Sequence, residues 1–239
     1  MKKLILISIL SASLSAESLY YKVKAPIFGT IGEVKVNYST GSSYNIDASM
    51  QTFGFAKKLS GNRVERYHSD GFVSNNIYKA QHFKQNFSFK NKKGLLEYIF
   101  DYSQKVVTKH RKNWKNGKLI SEKQRPLSFF TYNDLFSAYH NIVAQLKGKS
   151  AGNYNMKVAG LEGSGGNLLI KVPSKRVQEA EAKDLGVSNV WVFHIVTHKK
   201  LLKSTNGEII FAVGNDGIAK AVRVLNTAYV SHLDALLVR

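Results

Sequence analysis

Apolar and polar residues alternate with a period of two along most of this chain, the spacing of half-buried β-strands. From Thr30 to Tyr38, the series Val34, Val36, Tyr38 alternates with Glu33, Lys35, Asn37. Strand-like runs also cover 19–24, 44–50, 63–68, 76–85, 86–101, 154–161, 168–172, 189–198, 208–213, 218–225 and 228–237. Turn residues punctuate them: Pro26 and Gly29, Gly41-Ser42-Ser43, Lys92-Lys93-Gly94, Gly163 to Gly166, and Asn215-Asp216-Gly217. Runs 106–114 and 118–124 flank Asn116-Gly117, the strongest hairpin signal in the chain. Gly32, inside a strand run, points to a bulge or a close backbone approach. Phe53-Gly54-Phe55-Ala56 is apolar and is expected to cross the open end of the sheet.

One long stretch breaks the alternation. From Asn133 to Gly148 the apolar residues Leu135, Phe136, Tyr139, Ile142, Val143 and Leu146 fall on one face of a helix. Asn133 suits the N-cap, Asp134 the positive end of the dipole, Lys147 the negative end and Gly148 the left-handed C′ position. A second, surface helix is expected over 174–185, capped by Ser174 and packed through Val177, Ala180 and Leu185. The fold class that follows is mainly β: an antiparallel curved sheet or half-barrel of about ten to twelve strands wrapped around one central helix, with that second surface helix. No βαβ alternation is present, which excludes a doubly wound nucleotide fold.

Composition narrows the setting. The chain has 239 residues, 44% of them apolar, with 13 Phe, 12 Tyr and only 3 Pro. That composition excludes a disordered chain and fits a single domain. Lys2 and Lys3 precede an apolar run, Leu4 to Leu10, and then small residues up to Ala16. This is the layout of a secretory signal peptide, taken as residues 1–18, leaving one domain over 19–239. No other run approaches the ~18 apolar residues of a membrane span. There are no cysteines. Disulfides, thiolate metal sites, a cysteine nucleophile and a lipid-anchored N-terminus are therefore excluded, and a periplasmic location is expected.

The formal charge is +19. Removal of Lys2 and Lys3 takes the 35 basic residues to 33 against 16 acidic. Such a field attracts anions, and the signal peptide points away from nucleic acid toward an envelope partner. A basic-aromatic stretch, 105–118, carries Lys109, Arg111, Lys112, Trp114 and Lys115. Cations flanking a ring suit an anionic amphiphile or membrane surface.

Catalytic signals are sparse. His194 and His198 share a strand face but lack the acidic residue of a zinc-helix motif, so no metal is expected and both are read as solvent-facing. Gly163 to Gly166 lacks the lysine of a phosphate loop. His140 is read as a residue of the helix's polar face. A hydrolase of an envelope polymer would need two carboxylates converging, drawn from Glu33, Asp47, Glu65, Asp70, Glu97 and Asp101.

Three segments resemble the DUF3108 family of secreted bacterial proteins. They are YYKVKAPIFGTIGEVKV with Gly32 and Glu33, NDLFSAYHNIV with Asp134, Ser137 and Tyr139, and VGNDGIAKAVRVLN with Asp216 and Arg223. Ala221 stands where the family often has proline. The resemblance implies a half-barrel similar to periplasmic lipoprotein carriers, and it brings no catalytic residues and no cofactor. The expected function is non-enzymatic binding in the cell envelope. The partner is either a protein assembly, such as a flagellar motor scaffold, or an anionic amphiphile. The central helix then serves as pocket wall or plug, and a carrier of lipid or lipoprotein is the alternative.

Overall fold

The computed structural model describes residues 15–59, 62–196, 207–227 and 230–238. Eight strands come first: β1 (Ser15–Ala25), β2 (Gly29–Thr40), β3 (Ser43–Thr52), β4 (Val64–Ser74), β5 (Ile77–Phe89), β6 (Lys92–Asp101), β7 (Val106–Lys115) and β8 (Lys118–Pro126). A short helix α1 (Gly54–Leu59) lies between β3 and β4. Helix α2 (Leu135–Leu146) follows β8. Then come β9 (Gly152–Lys157), β10 (Asn167–Val172), α3 (Lys175–Asp184), β11 (Trp191–Val196), β12 (Glu208–Val213), β13 (Ala219–Leu225) and β14 (His232–Leu237).

All fourteen strands form one antiparallel sheet. Among the described residues each strand pairs with its sequence neighbours, β1 pairs with β14, and the only neighbours left apart are β8 and β9. The sheet is thus a barrel-like meander opened at a single seam. The 25-odd residues that would have made the missing hairpin instead form α2 and its flanking segments, which enter that seam.

Local chemistry explains the connections. The β7–β8 turn uses Asn116 at φ 51° and Gly117 at φ 78°, the left-handed pair of a type I′ turn. At Gly32 an added Cβ would stand 2.6 Å from the Gln51 carbonyl oxygen, so the close approach expected there is real. A register shift between Val23 and Lys24 sits opposite it.

Two core clusters meet on α2. Ala138 and Ile142 pack with Val158, Leu168, Ile170, Phe193 and Val213 from the β9–β12 side. Phe136 packs with Ala80, Phe83, Tyr98, Phe100 and Val107 from the β5–β7 side. A third cluster lies outside the barrel, where α3 sets Ala182 and Leu185 on Val192, Ile210, Ala212 and Ala221.

Several expectations need correction. Among the described residues the sheet has fourteen strands rather than ten to twelve; residues 76–85 and 86–101, two of the strand-like runs, become the separate strands β5 and β6 on either side of the turn before Lys92. The N-cap of α2 is Asp134, not Asn133. In α3 Val177 and Ala180 are exposed; its inward side carries Ala182 and Leu185, and the Ser174 side chain makes no cap bond. The sequence around Phe53 forms α1, with Phe53 itself 37% exposed. His194 is not solvent-facing: its Nδ1 lies 3.0 Å from Glu208 and its Nε2 2.9 Å from Glu181 of α3. His198 lies outside the described residues. So do residues 1–14; β1 begins at Ser15, within the span read as a signal peptide.

Candidate functional site

The inner face of the half-barrel is the candidate site, and α2 is the element that shapes it. A buried polar knot fixes the start of that helix. The Asp134 carboxylate accepts hydrogen bonds from Phe136 N (2.7 Å), Ser137 N (2.9 Å) and Ser69 Oγ of β4 (2.5 Å). Asp134 N donates to Ser137 Oγ at 2.8 Å, completing a capping box. Burial pushes the Asp134 carboxyl above its ordinary range, and the hydrogen bonds it accepts oppose that push. Asn141, also fully buried, donates to Tyr78 O and Asn133 Oδ1 and accepts from Tyr78 N. Asn133 and Thr131 both donate to the Lys157 carbonyl. The segment before α2 is therefore stitched to β5 on one side and to the end of β9 on the other.

The far side of the helix is tied as well. Tyr139 donates to the Gly217 carbonyl at 2.8 Å, and Lys147 to the Gly214 carbonyl at 3.0 Å. The residues of α2 expected to line a pocket take different places in the fold. Ile142 is fully buried, and Phe136, Tyr139, Val143 and Leu146 pack partly buried into the two clusters. Leu135 does not join them and is 39% exposed. The buried stripe of α2 is Ser137, Ala138, Asn141 and Ile142, half of it polar. His140, expected on a polar face, stacks instead on Tyr78 at 4.5 Å beside Tyr38 and Tyr139. Burial holds its imidazole down at about 4, so it is neutral near pH 7.

The plug does not cover the whole inner face. Where it packs, the side chains are shut off: Ile46, Tyr98, Val107, Phe193 and Val213 are each at most 2% exposed. Elsewhere Val34, Val36, Met50, Val222, Val224 and Leu233 are only half-buried. Strand register places them on the same inner face as Tyr21 and Ile46. Apolar side chains partly open to solvent on a concave face are the usual lining of a ligand site.

A register row crosses this face and changes character along its length. It runs Leu19, Val36, Ala48, Tyr67, Gln85, Leu96, Arg111, Lys123. Its middle holds Glu65 on an adjoining position, bonded to Arg63, Tyr67 and Gln85. Its end is basic. Arg111 faces Lys123 across the β7–β8 pair, and Lys109 faces Arg125. Lys109 Nζ pairs with Glu162 at 2.9 Å and lies over the Tyr98 ring. Burial first, and the Glu162 carboxylate second, push the Tyr98 phenol far up, while Arg111 and Arg125 pull it back.

The basic-aromatic stretch is thus not one surface. Strand alternation sends Lys109 and Arg111 inward but turns Lys112 and Trp114 outward. Lys112 pairs with Glu122 at 2.9 Å, beside His110. Trp114 lines a shallow outer groove of about 680 Å³ with Val64, Arg66, Asn86 and Lys93. Lys115 is exposed at the hairpin tip. Lys123, Arg125, Tyr98 and Glu162 were not singled out in the sequence. The alternation of Lys123 and Arg125 with Glu122 and Gln124 was the available signal.

The six acids considered for hydrolysis are dispersed. Glu33 lies on the outer face, bonded to Tyr20 and Gln51, which hold it below its ordinary range. Asp47 and Asp70 meet only through His68 on the outer face, at 2.9 and 3.1 Å. Glu97 lies near His110, and Asp101 binds Ser103 and Gln104. Among the described residues no cluster of histidines and acids fits a metal ion, and no helix is long and apolar enough to cross a membrane.

These features define a barrel-like antiparallel sheet protein with an internal helix. One solved structure shares that fold, a β-barrel-like protein of a domain of unknown function, DUF1849, from Brucella abortus. The match has a TM-score of 0.54 at 11% identity and covers 95% of this chain and 97% of that one. No family model matches the chain, and no curated protein matches it significantly.

Proposed function

We propose that the protein is a non-enzymatic binding protein of the bacterial envelope that takes an apolar chain against the uncovered inner face. One observation carries this reading. The inner face is sealed where α2 lies, yet the apolar side chains Val34, Val36, Met50, Val222, Val224 and Leu233 stay half-open on β2, β3, β13 and β14. A plug that only completed a core would have covered both. The signal-like pattern of residues 1–18 and the DUF3108-like segments support a periplasmic setting for such a protein.

Native mass spectrometry after mild extraction tests this. A retained acyl species supports the reading, and a clean apo protein that co-purifies with envelope proteins sinks it. That second outcome has its own structural support. Strand β8 is an unpaired edge, and its Leu119 and Ile120 are 49% and 59% exposed. An edge of this kind can accept a strand from a partner assembly.

A further inference from the structure

We infer that the basic block Lys109, Arg111, Lys123 and Arg125 is a head-group site for an anionic amphiphile, with phosphate or carboxylate chemistry. This rests on the apolar-chain reading above and adds the polar half of the ligand. Four cations occupy two directly opposed cross-strand pairs on one face. Like charges placed so destabilise a sheet, and nothing in strand pairing asks for them. Glu162 answers one of the four by binding Lys109. Two other carboxylates are taken elsewhere: Glu65 on the same face by Arg63, Tyr67 and Gln85, and Glu122 on the opposite face by Lys112 and His110. The block therefore presents a surplus of positive charge inward, beside buried Tyr98.

Position supplies the second half of the case. The block is not isolated on the outside of the protein. It ends the same register row that begins with Leu19, Val36 and Ala48 and passes through Tyr67, Gln85 and Leu96. The row opens on apolar side chains and ends on cations, with Tyr67, Gln85 and Leu96 between, so its two ends match the chain and the head group of an extended amphiphile. Guanidinium groups suit the head group because they bind carboxylate and phosphate oxygens in pairs. Arg111, Lys123 and Arg125 are exposed, so an incoming anion meets them without rearrangement of the core.

The test compares two ligands with one palmitoyl chain: palmitoyl lysophosphatidic acid and neutral monopalmitoylglycerol. Binding to the full mature chain is measured by calorimetry at low and at high salt. The expected result is at least about tenfold tighter binding of the phosphate ligand at low salt, with the gap narrowing at high salt. The double variant Arg111→Gln, Lys123→Gln should close the gap while keeping the affinity for the neutral ligand. The outer-face pair Lys93→Gln, Lys112→Gln should leave the gap open. Equal binding of both ligands by the wild type, or an equal loss in the outer-face variant, overturns the head-group site alone. Failure of both ligands to bind overturns the apolar-chain reading and this inference with it. Inorganic phosphate separates the sources of the anion: if it binds as tightly as the acyl phosphate, the amphiphile assignment falls. Thermal melts of the double variant check its folding, and relief of like-charge contacts predicts no loss of stability.

Discussion

Replacing Asp134 tests how the plug is held. The carboxylate has no exposed surface and accepts from two backbone amides of α2 and from Ser69 of β4. Asp134→Ala removes the N-cap, worth about 0.5–2 kcal/mol. It also leaves the Ser69 hydroxyl in a dry site, costing about 1–3 kcal/mol if nothing replaces the partner. Relief of the buried charge works the other way, because burial already pushes this carboxyl up. The balance is a loss of about 3 kcal/mol. Asp134→Asn keeps an acceptor of the same shape for the helix amides, and Ser69 can turn its hydroxyl toward Tyr44, 3.2 Å away. It should cost about 1 kcal/mol or less. The two variants also differ in pH response. A carboxyl raised by folding favours the native state below the ordinary aspartate range and loses that contribution as pH rises through its folded value. Asp134→Asn has no such dependence. Urea denaturation followed by circular dichroism reads both effects, with the slope reporting whether the same surface unfolds. An Asp134→Ala protein within about 1 kcal/mol of the wild type, at unchanged slope, refutes the polar knot as the anchor of α2.

Two further perturbations probe the same helix. His140 is neutral in the folded protein, held at about 4, whereas the unfolded chain protonates it near 6.5. Stability should therefore fall as pH drops from about 6.5 to 4, by about 2 kcal/mol for a ring still partly accessible, and His140→Phe should flatten that limb in denaturant titrations at successive pH values. Tyr139 packs near Phe193 and Phe211 and donates to Gly217. Tyr139→Phe should cost about 0.5–1.5 kcal/mol and Tyr139→Ala about 3–5, with retention of a bound acyl chain unchanged in whatever fraction remains folded. Loss of ligand at full stability would make the residue a pocket wall instead of part of the plug.

Much of the architecture was legible because it rests on local rules. Period-two alternation marks a strand wherever one face is buried, and Asn116-Gly117 marks a hairpin from two residues. The position of α2 followed from its apolar face. Its cap did not, because Asn133 and Asp134 are both good caps, and only the fold brings Ser69 to Asp134. The buried stripe of α2 was also out of reach. Ser137 and Asn141 are polar and carry no signal of burial; Ser137 finds its partner in Asp134, and Asn141 in Tyr78 of β5 and in Asn133. For the same reason His140 looked polar-faced, although Tyr78 comes from 62 residues away to stack on it. The candidate site was half visible. A run of cations is easy to see, but which of them point inward depends on the phase of the strand, which Val107 in the core reveals only once the sheet is assembled. Lys123 and Arg125 drew no notice because their importance comes from facing Lys109 and Arg111 across the ladder.

The central claim is that the uncovered inner face receives an apolar chain, and the lack of cysteine in the sequence allows a direct measurement. Met50→Cys places one thiol among the half-buried inner-face side chains, and Lys35→Cys places one on the exposed outer face of the neighbouring strand. Both are labelled with a small maleimide, with and without palmitoyl lysophosphatidic acid. Labelling of Met50→Cys that slows at least about tenfold on adding ligand, with Lys35→Cys unaffected, is the predicted result. A thiol at position 50 that ligand does not protect, or that never reacts because the interior is filled, contradicts it.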